Sequence, residues 1–531
     1  MASSKPSVFV RDATGLVREI STFDSFIGNF GVINIPLGLI TFTTAEYIFP
    51  GGDMVWASIL AIAFSVFPAL VYTLLTWAMP RSGGDYVFVS RIMHPLLGFV
   101  VNFGIMFWYI FFDGILTNWV ATLGLSPSML VIGAVTGNNG LVNIANVIAQ
   151  PTYTLLIGLV VIAFLSGVMA LGTRPTITVT KICILLMAIG LAVAAWLLLS
   201  NTNSNFIQAF SRFGDYNKII ATAHASPINY SPMGPNNFIA TLGVIPFIWG
   251  SIGYGTVTCY FAGEAKSVKK NALYSQVGST VVAGLILAFF GALTVAVFGY
   301  DFLGSMAALS FNASSAYPFT VSPYLNLYVS ILTSNPVLLW LLGVGYVAGF
   351  IADCLIVYLI ASRSIFAWAF DRLVPIKFAD IDQRFKSPLY AILLIAIINI
   401  IGLAWYTFES ATFASLVSGA YLGFVLMFLI VMITGIIFPF AKKQFYEKSL
   451  ADIKVIGMPV ITLFGIVAAA FYVLLAYFFV SNPLYGANVP IVYETILISI
   501  IIPILIFGAS VSYHKKQGID ILQAFRQIPP E

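Results

Sequence analysis

Charge is scarce in this sequence. Only 8% of its 531 residues are Asp, Glu, Lys or Arg, whereas 60% are hydrophobic. Because a water-soluble globular domain carries about 25% charged residues, this composition excludes an ordinary soluble fold. Apolar runs of about 20 residues, the length that crosses a bilayer as a helix, recur along the whole chain. The sequence therefore predicts a multi-pass protein of the cell membrane.

Residues that bind metals or form disulfides are also few, with three Cys and three His in the chain. Cys183, Cys259 and Cys354 fall inside predicted spans and are odd in number, which argues against a disulfide framework. The histidines are too scattered for a metal site. Phosphate-binding loops, zinc motifs and nucleophile elbows are absent, and no basic face suits nucleic acid. We therefore expect no enzyme, no metal, no cofactor and no nucleic-acid partner.

Twelve apolar stretches are long enough to span a membrane, which predicts an all-α polytopic fold with 12 transmembrane helices. These stretches lie at residues 22-47, 54-79, 96-122, 151-171, 176-200, 236-262, 273-300, 335-362, 387-407, 411-438, 455-480 and 490-512.

The positions of the positive charges predict how the chain is oriented. If the N-terminus lies inside the cell, all 24 Lys and Arg residues except Arg212 and Lys218 fall on the inner side of the membrane. Cytoplasmic loops carry such an excess in membrane proteins, and an error of one span would have scrambled the alternation. We therefore expect both termini to lie in the cytoplasm.

The first span contains the stretch Phe26-Ile-Gly-Asn-Phe-Gly-Val-Ile-Asn-Ile-Pro-Leu-Gly38, which weakens its own helix. Within hydrocarbon, a backbone N–H or C=O without a partner is costly, so an interrupted helix is tolerated only where the freed groups face protein, water or a ligand. The interruption therefore predicts a binding site. Its residues are Gly28, Asn29, Gly31, Asn34 and Pro36.

The sixth span repeats this pattern, because Gly250-Ser-Ile-Gly253 follows Phe247-Ile248 as Gly28-Asn-Phe-Gly31 follows Phe26-Ile27. Elements separated by five spans run in opposite directions, as an inverted repeat requires, and paired interrupted helices indicate a transport site near the midplane. The alternative is that these glycines serve close helix packing. The predicted divisions are an N-terminal segment 1-21, a first repeat 22-200, an outer loop 201-235, a second repeat 236-440, two further spans 441-512 and a C-terminal segment 513-531.

Two acidic residues, Asp113 and Asp353, lie inside apolar spans, each in the third helix of a repeat. A charge there costs at least about 2.5 kcal/mol, so ionisable residues within a membrane are functional candidates. A carboxyl in low dielectric favours its neutral form, which suits a proton carrier. Asp113 could instead pair with a cationic substrate group, and either acid could be a buried carboxyl that only makes hydrogen bonds.

Four segments resemble the amino acid/polyamine/organocation (APC) transporter superfamily. They are the inner-loop motifs Pro80-Arg-Ser-Gly-Gly-Asp-Tyr86 and Ser362-Arg-Ser-Ile-Phe-Ala-Trp-Ala-Phe-Asp-Arg-Leu-Val-Pro375, the break Ser251-Ile-Gly-Tyr-Gly-Thr-Val-Thr258 and its exit Ala262-Gly-Glu-Ala-Lys266. The resemblance covers roughly residues 20-440. It implies a LeuT-like fold with a five-plus-five inverted repeat and broken helices 1 and 6.

In that superfamily, backbone N–H groups of the broken first helix meet the substrate carboxylate, and carbonyls of helices 1 and 6 meet its amine. Trp249 is a further candidate, as an aromatic gate or as an ordinary packing residue. The substrate contacts that the resemblance implies are Gly28, Asn29, Phe30, Gly31 and Val32 in the first span, and Ser251, Gly253, Tyr254 and Gly255 in the sixth.

Some members carry a lysine deep in the fifth span in place of a sodium ion, but here the comparable position is Met187. This departure turns attention to Asp113 and Asp353 as carriers of a coupling proton, with sodium the less favoured ion. The function expected is secondary active transport of amino acids by alternating access, as a symporter or antiporter.

The alternatives are a polyamine or organic-cation carrier, in which Asp113 would pair with the amine, and a channel or receptor on the same scaffold. The expected partners are an amino acid or amine substrate and membrane lipid. The sequence leaves the oligomeric state, the individual substrate and the coupling ion open.

Overall fold

The computed structural model describes residues 19–232, 237–382, 384 and 387–526. Within these residues, twelve helices are long and apolar enough to cross a membrane, which confirms the predicted number and the all-α polytopic fold. Most of the predicted N-terminal segment 1-21, and the last five residues of the predicted C-terminal segment, lie outside the described residues.

The membrane helices define spans 1 to 12, and their ends differ from the predicted ones by at most eight residues except in span 3. The spans are Thr22–Ile40, Met54–Ala78, Pro95–Thr136, Pro151–Ala170, Thr173–Ser200, Phe238–Glu264, Val268–Phe298, Pro336–Phe370, Leu389–Phe408, Ser415–Ala441, Val460–Ser481 and Pro490–Lys516.

Short elements join the spans. The helices among them are Ala45–Ile48, Asp85–Ile92, Asn139–Ile148, Asn203–Phe210, Tyr216–His224, Tyr300–Phe311, Leu325–Ile331 and Lys443–Tyr446, with 3₁₀ turns at Ile376–Ala379, Pro483–Tyr485 and Ile521–Arg526. The strands Lys454–Val455 and Met458–Pro459 pair antiparallel as a small hairpin.

Polar side chains fix where several spans begin. Ser21 and Asp24 form a capping box at the start of span 1, in which the Asp24 N–H donates to Ser21 Oγ at 3.2 Å and the Ser21 N–H donates to Asp24 Oδ2 at 2.9 Å. Oδ1 of Asp53 accepts from the first N–H groups of span 2, and Asn237 does the same for span 6. These caps satisfy donors that the first turn of a helix leaves without intrahelical partners.

Spans 1, 6 and 8 form the centre of the bundle. Buried residues make up 83% of the most apolar window of span 8 and 78% of those of spans 1 and 6, but only 28% of that of span 12. The low buried share of span 12 places it at the periphery of the bundle. The two spans predicted to be interrupted therefore lie together in the centre.

Span 3 is longer than predicted. Its helix Pro95–Trp119 leads into a wide π-helical turn, Val120–Leu125, and continues as the helix Ser126–Thr136. The prediction ended this span at residue 122, within the π turn. A π turn changes the helical register without ending the helix, and the apolar pattern used for the prediction assumes a constant α-helical period.

Candidate functional site

Span 1 is interrupted at Asn34, which separates the helix Thr22–Ile33 from the helix Ile35–Phe42. The backbone of Asn34 is left-handed, with a φ of 48°, a conformation that asparagine tolerates better than most residues. Pro36, two residues later, has no N–H to offer to the preceding helix. These two residues end one helix and start another partway along the span.

Of the five residues predicted to interrupt span 1, Asn34 and Pro36 lie at the break, whereas Gly28, Asn29 and Gly31 precede it. Gly28, Asn29, Phe30, Gly31 and Val32 lie buried inside the continuous helix before Asn34, so their N–H groups are used by bonds within that helix. A Cβ added at Gly28 would lie 3.3 Å from Cζ of Phe261, and one at Gly31 would lie 3.3 Å from Cγ1 of Ile356. The glycines therefore allow spans 6 and 8 to approach, as small residues do in membrane helices.

Span 6 is interrupted at the predicted residues. Its first helix, Phe238–Ile252, ends at a turn over Gly253, Tyr254 and Gly255, and a 3₁₀ helix, Val257–Glu264, follows. A Cβ added at Gly253 would lie 2.4 Å from Nε1 of Trp249. The indole of Trp249 therefore packs directly on the turn, and only a residue without a side chain fits beneath it.

Two side chains tie the broken spans together. Asn29 Nδ2 donates to the Gly255 carbonyl at 2.8 Å, and Asn29 Oδ1 accepts from the N–H and the hydroxyl of Thr258, both at 2.9 Å. In the other direction, Ser251 Oγ donates to the Ile33 carbonyl at 2.7 Å. Asn29 and Ser251, both predicted to touch substrate, thus satisfy backbone groups that the breaks set free.

Asp353 of span 8 lies at the break of span 1. Asn34 Nδ2 donates to Asp353 Oδ2 at 3.2 Å, and Asn34 Oδ1 accepts from the N–H of Leu37 at 3.2 Å. The Asp353 side chain is buried. One asparagine therefore joins a titratable group of span 8 to the first turn of the helix that follows the break.

Aromatic side chains from three spans surround the turn of span 6. The ring centroid of Tyr254 lies 5.7 Å from that of Tyr109 in span 3, 5.0 Å from that of Phe424 in span 10 and 5.7 Å from that of Trp249. Tyr109 is buried, and its hydroxyl has no hydrogen-bond partner in the described part of the chain. A buried polar group without a partner is costly, so this hydroxyl is a candidate to bind a ligand.

Asp113 has a different environment from Asp353. Its Oδ2 accepts from Asn399 Nδ2 in span 9 at 2.6 Å, and the thiol of Cys354 in span 8 lies beside it. Asp113 is fully buried. Its recorded partners thus belong to spans 8 and 9, whereas Asp353 bonds to the broken span 1.

A buried ion pair closes the bundle at the end that carries the described N-terminal residues. Arg363 Nε donates to Glu264 Oε1 at 2.7 Å, and Arg363 Nη2 donates to Glu264 Oε2 at 3.2 Å. The same Nη2 donates to Thr173 Oγ1 at 2.7 Å, while the N–H of Ile20 donates to the Glu264 carbonyl at 2.9 Å. This cluster joins the ends of spans 5, 6 and 8.

Asp85, in the short helix between spans 2 and 3, forms a second closing cluster. Its carboxylate accepts from the hydroxyls of Tyr72 at 3.1 Å and Tyr260 at 2.6 Å, and from Asn102 Nδ2 at 2.6 Å. Burial raises the pKa of Asp85 to about 6, although the three donors favour its ionised form. The carboxyl therefore changes charge in the mildly acidic range and can respond to pH.

Tyr109, Asn399, Phe424 and Asp85 are among the members of these clusters that sequence reasoning did not single out. Tyr109 stands one helical turn before Asp113, so its position on the same face was a usable signal. Asp85 was quoted only as part of an inner-loop motif. Nothing in the local sequence of Asn399 or Phe424 marks them, because their role depends on which spans pack together. In the described residues, no three His, Cys, Asp or Glu side chains form a group that could hold a metal.

Comparison with known proteins agrees with this architecture. The family model described as "Amino acid permease" matches residues 20–506, which is nearly the whole chain. The branched-chain amino acid permease BcaP of Bacillus subtilis (strain 168) is 20% identical over 391 residues, covering 71% of this chain and 72% of the relative. The chain therefore belongs to the amino acid permease family, within the APC superfamily of transporters, and is a transporter of amino acids rather than an enzyme.

Proposed function

We propose that this protein carries neutral amino acids with apolar side chains by alternating access, and that Asp353 couples the transport to protons. The observation that carries the proposal is the hydrogen bond from Asn34 to Asp353. It joins a buried acid to the residue at which span 1 breaks, so a change in protonation acts directly on the interrupted helix. Asp113, whose recorded contacts lie on spans 8 and 9, is assigned a supporting position.

Backbone groups at the break of span 1 suit the charged ends of an amino acid. A helix leaves its last four carbonyls without intrahelical partners. The Gly31 carbonyl accepts from the Asn34 N–H, and the Ile33 carbonyl accepts from Ser251 Oγ. The carbonyls of Phe30 and Val32 are therefore the acceptors that we assign to the substrate amine. The N–H of Ile35, at the positive end of the second helix, is the donor we assign to its carboxylate.

The side-chain preference follows from the aromatic surroundings of the turn in span 6. Tyr109, Tyr254 and Phe424 offer ring faces and edges, which bind apolar groups well. The name of the Bacillus relative, a branched-chain amino acid permease, agrees with this preference. Valine, leucine and isoleucine are therefore the first substrates to test.

Proton coupling follows from the cost of charge inside a membrane. An ionised carboxylate there needs compensation, so Asp353 binds a proton when the site is closed to water and releases it when one side opens. The protonated and ionised forms interact differently with Asn34, and such a difference is what shifts an equilibrium between conformations. Opening towards the Glu264–Arg363 end also requires that buried ion pair to separate.

The test is uptake of radiolabelled leucine into proteoliposomes, with and without an imposed pH gradient. We expect saturable uptake, counterflow by unlabelled leucine, and acceleration by an inward proton gradient. Asp353→Asn should retain counterflow but lose the response to the gradient, whereas Asp380→Asn, an acid in the described loop after span 8, should behave as wild type. If Asp353→Asn still responds to the pH gradient, another residue carries the coupling proton, and Asp113→Asn is the next variant to test.

Measurements on the same proteoliposomes separate the other candidate functions. Competition by spermidine or putrescine, without competition by leucine, would assign the site to polyamines or organic cations. Conductance that does not saturate would indicate a channel, and binding without translocation would indicate a receptor.

A further inference from the structure

A groove lies where the end of span 12 packs against the segment that follows span 8. Its volume is about 810 Å³. One wall is the stretch Arg372 to Lys377, and the other is a stripe of span 12 at helical spacing. The stripe consists of Ile506, Ala509, Ser510, Tyr513 and His514. We call this cavity the span 12 groove.

A hydrogen bond joins the two walls of the groove. Ser510 Oγ donates to the carbonyl of Arg372 at 2.6 Å. His514 Nδ1 lies 2.9 Å from the carbonyl of Ser510, and because a carbonyl only accepts, Nδ1 is the protonated nitrogen in this contact. Nε2 of His514 is then the ring nitrogen that faces a ligand, and it donates to a phosphate oxygen when the ring is in its imidazolium form.

The backbone at Arg372 is in an unusual conformation for a large residue, with a φ of 60°. The N–H of Arg372 donates to the Ala369 carbonyl at 2.9 Å, and that of Leu373 donates to the Trp368 carbonyl at 2.9 Å. This pattern is a Schellman ending of span 8, whose left-handed position is usually glycine. A side chain kept at a strained position is a reason to suspect a role for that side chain.

The groove is positively charged at one end. Arg372, Lys377 and His514 line it, and Lys515 and Lys516 follow at the end of the same helix. The neighbouring acid, Asp371, is engaged by Arg91, whose Nη2 lies 2.6 Å from its Oδ2. Basic pockets between membrane helices are suited to lipid phosphate groups.

The other end of the groove opens onto an apolar surface. Ile502 and Ile498 lie one and two helical turns before Ile506 on the same side of span 12, and their side chains are exposed. A ligand with a phosphate at the basic end and acyl chains along these isoleucines would satisfy both parts of the surface. We propose that the span 12 groove binds an anionic phospholipid, with its phosphate at Arg372, Lys377 and His514.

The test measures thermal unfolding of the purified full-length protein in detergent, with added phosphatidylglycerol or phosphatidylcholine. A ligand that binds only the folded state raises its melting temperature by mass action. We expect phosphatidylglycerol to raise the melting temperature and phosphatidylcholine not to do so. An arm with inorganic phosphate distinguishes a lipid site from a site for free anions.

The most informative variant is Arg372→Gly, because glycine removes the cation and also relieves the left-handed backbone. Its apparent affinity for phosphatidylglycerol should fall about fivefold, the effect of one basic residue near a lipid surface, and its own melting temperature without lipid is the reference for that measurement. Lys377→Gln combined with His514→Gln should weaken the response further. Lys442→Gln combined with Lys443→Gln, at exposed cations between spans 10 and 11, is the matched control.

Three results would overturn the proposal: an equal response to both lipids in the wild type, an equal loss of response in the control pair, or full replacement of the lipid by inorganic phosphate. If phosphatidylglycerol raises the melting temperature only when the chain is truncated after Arg526, the C-terminal tail and not a lipid is the natural occupant of the groove.

Discussion

Asn29 and Thr258 form a direct link between the two interrupted spans, because Asn29 Oδ1 accepts both the N–H and the hydroxyl of Thr258 at 2.9 Å. The amide end of the same side chain donates to the carbonyl of Gly255. Asn29 therefore completes the hydrogen bonding of the turn in span 6. This contribution to the shape of the site stands beside the direct substrate contact that the resemblance implies.

Asn29→Ala should destabilise the protein by about 2 to 3 kcal/mol, because it leaves the buried Thr258 N–H and Gly255 carbonyl without their partner. Thermal unfolding in detergent would report the loss, and leucine uptake per folded molecule should fall with it. Asn312→Ala, at an exposed loop residue, is the control. If Asn29→Ala unfolds at the wild-type temperature but binds leucine weakly, Asn29 contacts the substrate directly.

Gly28→Ala should retain transport. The added methyl group would lie 3.3 Å from Cζ of Phe261 and 3.8 Å from Cδ1 of Ile356, so a small shift of the Phe261 ring accommodates it. Alanine also favours a helix by about 1 kcal/mol over glycine. Gly167→Ala in span 4 is the matched control, since nothing lies within 4 Å of a Cβ added there. Uptake assays and melting temperatures should show near-wild-type behaviour for both variants. Complete loss of uptake in Gly28→Ala, with normal uptake in Gly167→Ala, would indicate that the backbone at Gly28 contacts the substrate.

Asp85 should make the protein more stable as the pH falls from 7 to about 4.5. Its pKa is about 6 in the folded protein, against an ordinary value of 3.8, so the folded state binds the proton more tightly than the unfolded state. The stabilisation is complete below the unfolded pKa and is lost as the pH rises through 6. Melting temperatures between pH 4.5 and 7.5 should show this slope in the wild type and a flatter one in Asp85→Asn. Parallel curves for the two proteins would contradict the assignment.

Glu264→Gln should destabilise the protein by about 3 to 5 kcal/mol, because it leaves the buried Arg363 without its charged partner. It should also favour opening at that end of the bundle. Cys259, which is buried in the 3₁₀ helix ending at Glu264, can report this opening through its rate of alkylation when Cys183 and Cys354 are replaced by alanine. We expect faster alkylation in the variant, and an unchanged rate would show that the ion pair does not restrain this end.

The sequence predicted the spans well because each is a long apolar run, a signal that does not depend on neighbouring helices. The break in span 6 was also predicted, since Gly253 and Gly255 lie at the turn itself. In span 1 the same reasoning chose Gly28, Asn29 and Gly31 together with Asn34 and Pro36, and only the last two lie at the turn. Glycine can serve either close packing or interruption in a membrane helix. The close approach of Phe261 to Gly28 and of Ile356 to Gly31 shows that these two glycines serve packing.

The acids show a similar limit. Asp113 and Asp353 look equivalent in sequence, each alone in an apolar span. Their environments differ because Asn399 reaches one and Asn34 reaches the other, and these partners are 286 and 319 residues away along the chain. Only the packing of the spans could reveal that Asp353 is the acid at the interrupted helix.

The π turn Val120–Leu125 has a consequence for protein engineering. Such a turn holds one residue more than the α-helix needs, so deleting one residue there could restore regular geometry without shortening the chain's path across the membrane. The segment Ser126–Thr136 would then keep its orientation relative to Tyr109 and Asp113, whereas a deletion in the regular helix would rotate it by about 100°, the angle of one helical residue. Span 3 thus contains a built-in register adjustment, and single-residue deletions should be better tolerated at Val120–Leu125 than anywhere in Pro95–Trp119.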